Sequence, residues 1–256
     1  MLRIVSRSLR LVARFFIAFF PYMCYNSHTI FHQKKELLMK HEKGRLDLYL
    51  TAGFLLAFIL WTVALCFIDR KPVGPQDSVV GFASLNTFVH NALGVHMGLY
   101  VLTDWLGLVP IVFCVYFAVL GLCQWIGRKK LLKVDYDILA LGVFYLLVGV
   151  AFALFEIITL NYRPIFIDGV LEGSYPSSTT LLVTCVVATT IMQAQNRVKK
   201  PALRIFVTTV LWIFMLFMVI ARLISGVHWF TDIIGGLLLS GTLIFSYRCL
   251  LNRKKD

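Results

Sequence analysis

Six stretches of this chain are apolar and sparsely charged: Leu46–Ile68, Tyr100–Ile126, Ile138–Leu160, Thr180–Gln193, Leu203–Ile224 and Thr231–Leu251. No other feature narrows the possible folds as much. About 20 helical residues cross a hydrocarbon layer of about 30 Å. Inside that layer the backbone has to satisfy its own hydrogen bonds, which a helix does. The fourth stretch is short and draws on part of the loop before it. A water-soluble domain has no means of hiding so much apolar side chain, since 59% of the 256 residues are hydrophobic and only 15% charged. The expected fold class is all-α: a polytopic membrane protein with a six-helix transmembrane bundle. Val79–Met97, between the first two stretches, is too polar to span and reads as a surface or re-entrant piece. No apolar leader with a small-residue cleavage site opens the chain, so no cleaved signal peptide is expected. There is no internal repeat and no low-complexity segment.

The charges orient the bundle. The net charge is +12, which on a soluble protein would suggest nucleic acid. Here membrane topology accounts for it, and no nucleic-acid partner is expected. Arg70, Lys71, Arg163 and Arg222 fall on one side of the spans; the other twenty-one of the 25 Lys and Arg fall on the opposite side. The crowded side is cytoplasmic by the positive-inside rule, and an even number of spans puts both termini there. An integral protein of the cell (plasma) membrane is expected. Residues 1–45 read as a cytoplasmic basic region and 46–256 as the membrane domain. Within 1–20, Arg3, Arg7, Arg10 and Arg14 recur at helical spacing among Leu, Val, Ile and Phe. That pattern fits an amphipathic helix on the membrane surface, or else a poorly ordered basic leader. The six cysteines (Cys24, Cys66, Cys114, Cys123, Cys185, Cys249) have no paired spacing, so neither a disulfide framework nor a zinc site is expected. They read as small apolar fillers.

Candidate chemistry lies on the charge-poor side. Charge is costly near a bilayer, so the exceptions are informative. Three segments stand out: NYRPIF at 161–166, SYPSSTT at 174–180 and ARLISGVHWFTDIIGG at 221–236. His228 and Asp232 are four apart, a spacing that puts both on one helix face, where the carboxylate orients the imidazole. Arg222 precedes them across a Ser225-Gly226 break. Ser177 or Ser178 suits the cap of the fourth helix, whose free N–H groups form an anion site with small hydroxyls such as Thr179. Arg163 adds a guanidinium suited to bidentate phosphate contact. Taken singly, each has a plain structural reading. Together they point to a phosphate site.

These segments resemble the three signatures of the type 2 phosphatidic acid phosphatase superfamily, the membrane lipid phosphate and lipid diphosphate phosphatases. The resemblance covers about residues 95–250. Its third signature, Arg-x5-His-x3-Asp, is matched by Arg222, His228 and Asp232, with Ala221 in place of the family's Ser. Its first, Lys-x6-Arg-Pro, is matched at Arg163-Pro164, with Glu156 in place of Lys. Its second, Pro-Ser-Gly-His, reads Pro176-Ser177-Ser178-Thr179, with Thr in place of His. The resemblance implies that His228 is the nucleophile and forms a phospho-histidine, with Asp232 as its support. It implies that Arg163, Arg222, Ser177, Ser178 and Thr179 surround the substrate phosphate, and that no metal or other cofactor takes part.

The departures shape the expected function. Thr179 is no general acid near neutral pH, and a general acid is worth about 10²–10⁴-fold. Glu156 replaces a cation with an anion, which would repel substrate if it faces the site, and otherwise turns away or pairs with Arg163 seven residues on. Tyr175, Asp168, Glu172, His90 and His96 are the nearby candidates for a substitute acid. The expected function is hydrolysis of a lipid phosphate or, better, of a lipid diphosphate such as a polyprenyl diphosphate, at the extracytoplasmic face. The alternative is a non-catalytic protein that binds or transports lipid phosphate with a degenerate site.

Overall fold

The computed structural model describes residues 33–253, with side chains from 44 to 252. The amphipathic helix expected over 1–20, with its four arginines, lies outside the described residues. Gly44–Asp256 is one compact unit.

The described elements are almost all helical. They are α1 (Gln33–Phe67), the two-residue strands β1 (Lys71–Pro72) and β2 (Val79–Val80), α2 (Ala83–Leu93), α3 (Met97–Leu106), α4 (Leu108–Arg128), α5 (Tyr136–Ile157), α6 (Ser178–Arg197), α7 (Pro201–Ile224) and α8 (Phe230–Arg253). Among the described residues, five segments are long and apolar enough to cross a membrane: 44–67, 97–128 (α3 and α4 together), 136–157, 201–224 and 230–252. The chain is an all-α integral membrane protein.

The fourth expected span is α6, and it differs from the others in kind. It has 20 residues, so length is sufficient, but Thr180, Thr184, Thr189, Thr190 and Gln193 make it polar. All five are buried. The helix touches α4, α5, α7 and α8, so it sits at the centre of the bundle and its polarity is hidden from lipid. Hydroxyls of Thr189 and Thr190 donate to the Val186 carbonyl at 3.0 and 2.7 Å, and Gln193 donates to the Tyr247 hydroxyl at 3.1 Å. Polar side chains satisfied in this way are tolerated in a core; the Thr184 hydroxyl is the exception among the five, with no partner among the described residues.

The Val79–Met97 segment holds β2 and α2, and α2 packs on the start of α8. Buried Asn86 donates to the Gly81 carbonyl at 2.8 Å and to the Thr231 hydroxyl at 2.9 Å. Its own carbonyl oxygen accepts from the Thr231 backbone N–H at 3.2 Å. The side chain of α2 therefore satisfies a donor in the first turn of α8, work usually done by a local cap.

The two ends of the bundle differ in charge. One end gathers the α4–α5 loop, the α6–α7 loop and the end of α8. There Arg197 pairs with Asp137 at 2.7 Å and Asp135 at 3.4 Å, the Tyr136 hydroxyl donates to Leu250 at 3.1 Å, and Arg248 pairs with Asp47 at 3.1 Å. The Arg128 guanidinium, bonded to Asp135, is the largest influence holding that carboxyl below the usual carboxylate range. The opposite end carries the three segments singled out above.

Candidate active site

Three chain segments are stitched together at this end by backbone-anchored bonds. Trp229 Nε1 donates to the Tyr162 carbonyl at 2.8 Å, joining the third segment to the first. The Ser177 N–H donates to the Asp232 carbonyl at 3.0 Å, joining the second to the third. Ser174 N–H donates to the Asn161 carbonyl at 2.9 Å, and Arg163 N–H to the Glu172 carbonyl at 3.0 Å. The last two make 161–174 a hairpin that turns at Asp168 and Gly169, both with positive φ.

Close approach decides two residues. Gly226 has φ +73°, and a Cβ there would lie 2.3 Å from the Gly94 carbonyl oxygen. Only glycine fits this turn. Gly235 lets the Tyr175 ring lie against α8, where a Cβ would come within 2.5 Å of it.

His228 is 3% exposed, Arg222 2%, Arg163 8% and Asp232 fully buried. Arg163 Nη1 donates to His228 Nε2 at 3.4 Å. On the other side of the ring, Nδ1 lies 3.2 Å from the Ser174 carbonyl oxygen and 3.7 Å from Asp232 Oδ2. A carbonyl only accepts, so Nδ1 carries the proton and the Nε2 lone pair faces Arg163. Burial, and after it the charges of Arg163 and Arg222, hold the imidazole well below its ordinary pKa. The ring is neutral, with its unprotonated nitrogen turned toward a guanidinium.

Asp232 differs in detail from the expected helix-face pair. His228 precedes α8 rather than lying on it, because the chain turns through Gly226 before the helix starts at Phe230. The tighter bond of Asp232 is to the Trp229 N–H, at 2.9 Å. The carboxylate thus fixes the turn that carries His228, in addition to lying beside the ring.

The two arginines approach from different sides. Arg163 stands in the loop beyond α5, which ends at Ile157 rather than Leu160. Its Nε pairs with Glu172 Oε2 at 3.0 Å. The suggested pairing with Glu156 is not formed, because α5 ends before Arg163 and the two do not share a helix face. Arg222 donates to the Thr103 hydroxyl at 3.3 Å, lies 4.0 Å from Asp104 and covers the Tyr100 ring at 4.9 Å. Its Nε has no hydrogen-bond partner among the described residues. A buried donor of this kind needs an acceptor, and a phosphate oxygen is one.

Ser177 caps α6. Its Oγ accepts from the Thr180 N–H at 3.4 Å and from the Thr180 hydroxyl at 3.0 Å. Ser178 lines a cleft with His228, Ser174, Tyr175, Phe152 and Glu156. Half-buried Thr179 is not part of that lining. Of the candidate substitute acids, Tyr175 is spent on a 2.7 Å bond with the Thr62 hydroxyl and burial pushes its phenol above the usual range. His90 lies against Trp229, ring centroids 5.5 Å apart. Nε2 of exposed His96 lies 2.9 Å from the Leu93 carbonyl. Asp168 stands at the hairpin turn.

Sequence reasoning missed the Ser174 carbonyl, since a backbone oxygen leaves no residue signature. It also missed the Arg222 partners. Their signal was available: Tyr100, Thr103 and Asp104 repeat at i, i+3 and i+4, one polar face on an otherwise apolar helix.

Fold and cluster together define a class, an integral-membrane helical bundle with a buried Arg–His–Asp site at one end. The family model described as the PAP2 superfamily matches residues 111–256, more than half of the chain, and the match includes all three segments. The chain belongs to the PAP2 superfamily. A similar solved structure is the crystal structure of the first transmembrane PAP2-type phosphatidylglycerolphosphate phosphatase, from Bacillus subtilis. It aligns with a TM-score of 0.53 and 18% identity over 81% of this chain and 98% of that one. No curated protein sequence matches the chain.

Proposed function

We propose that this protein is a membrane phosphatase that hydrolyses lipid phosphates, lipid diphosphates better than monoesters, through a phospho-histidine on His228. The observation that carries the reading is the 3.4 Å approach of Arg163 to His228 Nε2 on a ring whose Nδ1 is held by Ser174. In this reaction Nε2 attacks the terminal phosphorus, the bond from phosphorus to the bridging oxygen breaks, and its electron pair leaves with the lipid. Arg163, Arg222 and the α6 N-terminus with Ser177, Ser178 and Thr179 stabilise the charge on the phosphoryl oxygens.

The substrate preference follows from the leaving group. A lipid alkoxide is strongly basic and needs a proton as it departs, which Thr179 does not supply. A leaving phosphate, with a second pKa of about 6, needs far less help. A polyprenyl diphosphate is such a substrate. The bundle's polarity supports a site on the extracytoplasmic face of the cell membrane, with the basic loops and residues 1–45 in the cytoplasm and 46–256 as the membrane domain.

The second reading, a non-catalytic binder or transporter of phosphorylated lipid, is favoured by Thr179 standing where an imidazole would be. Phosphate release from a panel of lipid mono- and diphosphates, wild type against His228→Ala, separates the two. Catalysis predicts release that is faster for diphosphates and lost in the variant. Binding alone predicts no release from either protein with lipid phosphate still bound.

A further inference from the structure

A phospho-histidine has to be broken by water, and that second half of the reaction needs a proton acceptor near His228. Three titratable side chains line the cleft that holds His228: His228 itself, Tyr175 and Glu156. In the proposed reaction His228 carries the phosphoryl group on Nε2. The Tyr175 hydroxyl is occupied by Thr62. Of the other carboxylates at this end, Glu172 pairs with Arg163, Asp104 lies 4.0 Å from Arg222, Asp232 accepts from the Trp229 N–H, and Asp168 stands at the hairpin turn outside the cleft lining. Glu156 forms no ion pair among the described residues, and it stands one residue before the end of α5, on the wall of the cleft that His228 also lines. Phe152 and Phe155 flank it along the same cleft.

We propose that Glu156 is the general base of the dephosphorylation step, an inference that rests on the phospho-histidine reading above. A water oxygen attacks phosphorus, the bond from phosphorus to Nε2 breaks, and its electron pair returns to the His228 ring. The water proton goes to the Glu156 carboxylate, which later releases it to solvent. The products are inorganic phosphate and the free enzyme. The division of labour suits a diphosphate substrate: its leaving group needs no acid, so the site requires a base and only for the second step. An anion at this place has a cost, since it repels the incoming substrate.

The test is rapid-quench kinetics on purified full-length protein with a lipid diphosphate labelled in its terminal phosphate. Glu156→Gln is expected to release one equivalent of lipid monophosphate per site at the wild-type rate. Label then accumulates on His228 and steady-state turnover falls by about 10²–10⁴-fold. In Glu156→Ala, added formate is expected to restore part of the lost turnover by serving as an external base. Glu156→Gln turnover at the wild-type rate overturns the inference, and so does a loss of turnover without accumulated phospho-histidine. A wild type that neither labels His228 nor releases phosphate overturns the phosphatase reading, and the inference with it.

Discussion

His228 is neutral because of where it is. A free imidazole takes up a proton near pH 6.5. In the fold, burial comes first among the causes that oppose this, followed by Arg163 and Arg222. The folded protein therefore binds fewer protons than the unfolded chain as pH falls through 6.5. The stability this group contributes is present above that value and lost as pH drops below it. Selective ¹⁵N-histidine NMR checks the same point directly. The His228 resonance, assigned by its loss in His228→Gln, is expected to keep its neutral form when the sample is taken from pH 7.5 to pH 6.0. A midpoint at or above 6.5 contradicts the arrangement. At this scale the sequence was informative about chemistry and silent about partners. Residue type announced Arg163, Arg222, His228 and Asp232. The contacts that tune them come from the Ser174 carbonyl and the Glu172 carboxylate, brought in by the hairpin.

At the scale of elements, α2 shows how a helix too polar to span becomes structural. The Val79–Met97 segment that holds it reads as a surface or re-entrant piece because it is too polar to span. Yet Asn86 is fully buried and bonds to Gly81 and Thr231 at once. Local pattern has no access to such a role, since the partner lies 145 residues away. Asn86→Leu removes the partner of the Thr231 N–H and hydroxyl in the first turn of α8 and of the Gly81 carbonyl just before α2. Each such loss costs about 1–3 kcal/mol. The expected result is a melting temperature several degrees lower in detergent, with activity falling alongside it because Asp232 lies in the same turn. An unchanged melting temperature removes the argument. The apolar helices, by contrast, were legible to within a few residues, because lipid imposes length and composition on each of them. Their ends were less so. The α5 boundary moved from Leu160 to Ile157 because the segment beyond it folds back into the 161–174 hairpin.

The whole molecule separates basic loops from its candidate site by the length of the bundle. A cysteine-free background with single cysteines tests which end faces out. Asp168→Cys is expected to react with a membrane-impermeant maleimide on intact cells, and Lys199→Cys only after permeabilisation. The reverse pattern places the site in the cytoplasm. The central position of α6 carries a further consequence, for how the protein is made. A helix this rich in threonine is a poor passenger for a lipid environment on its own. Its polar face is covered only when α7 and α8 are packed against it. Ser177 caps that helix while His228 and Asp232 stand at the start of α8, so the candidate site is complete only once the last span is in place.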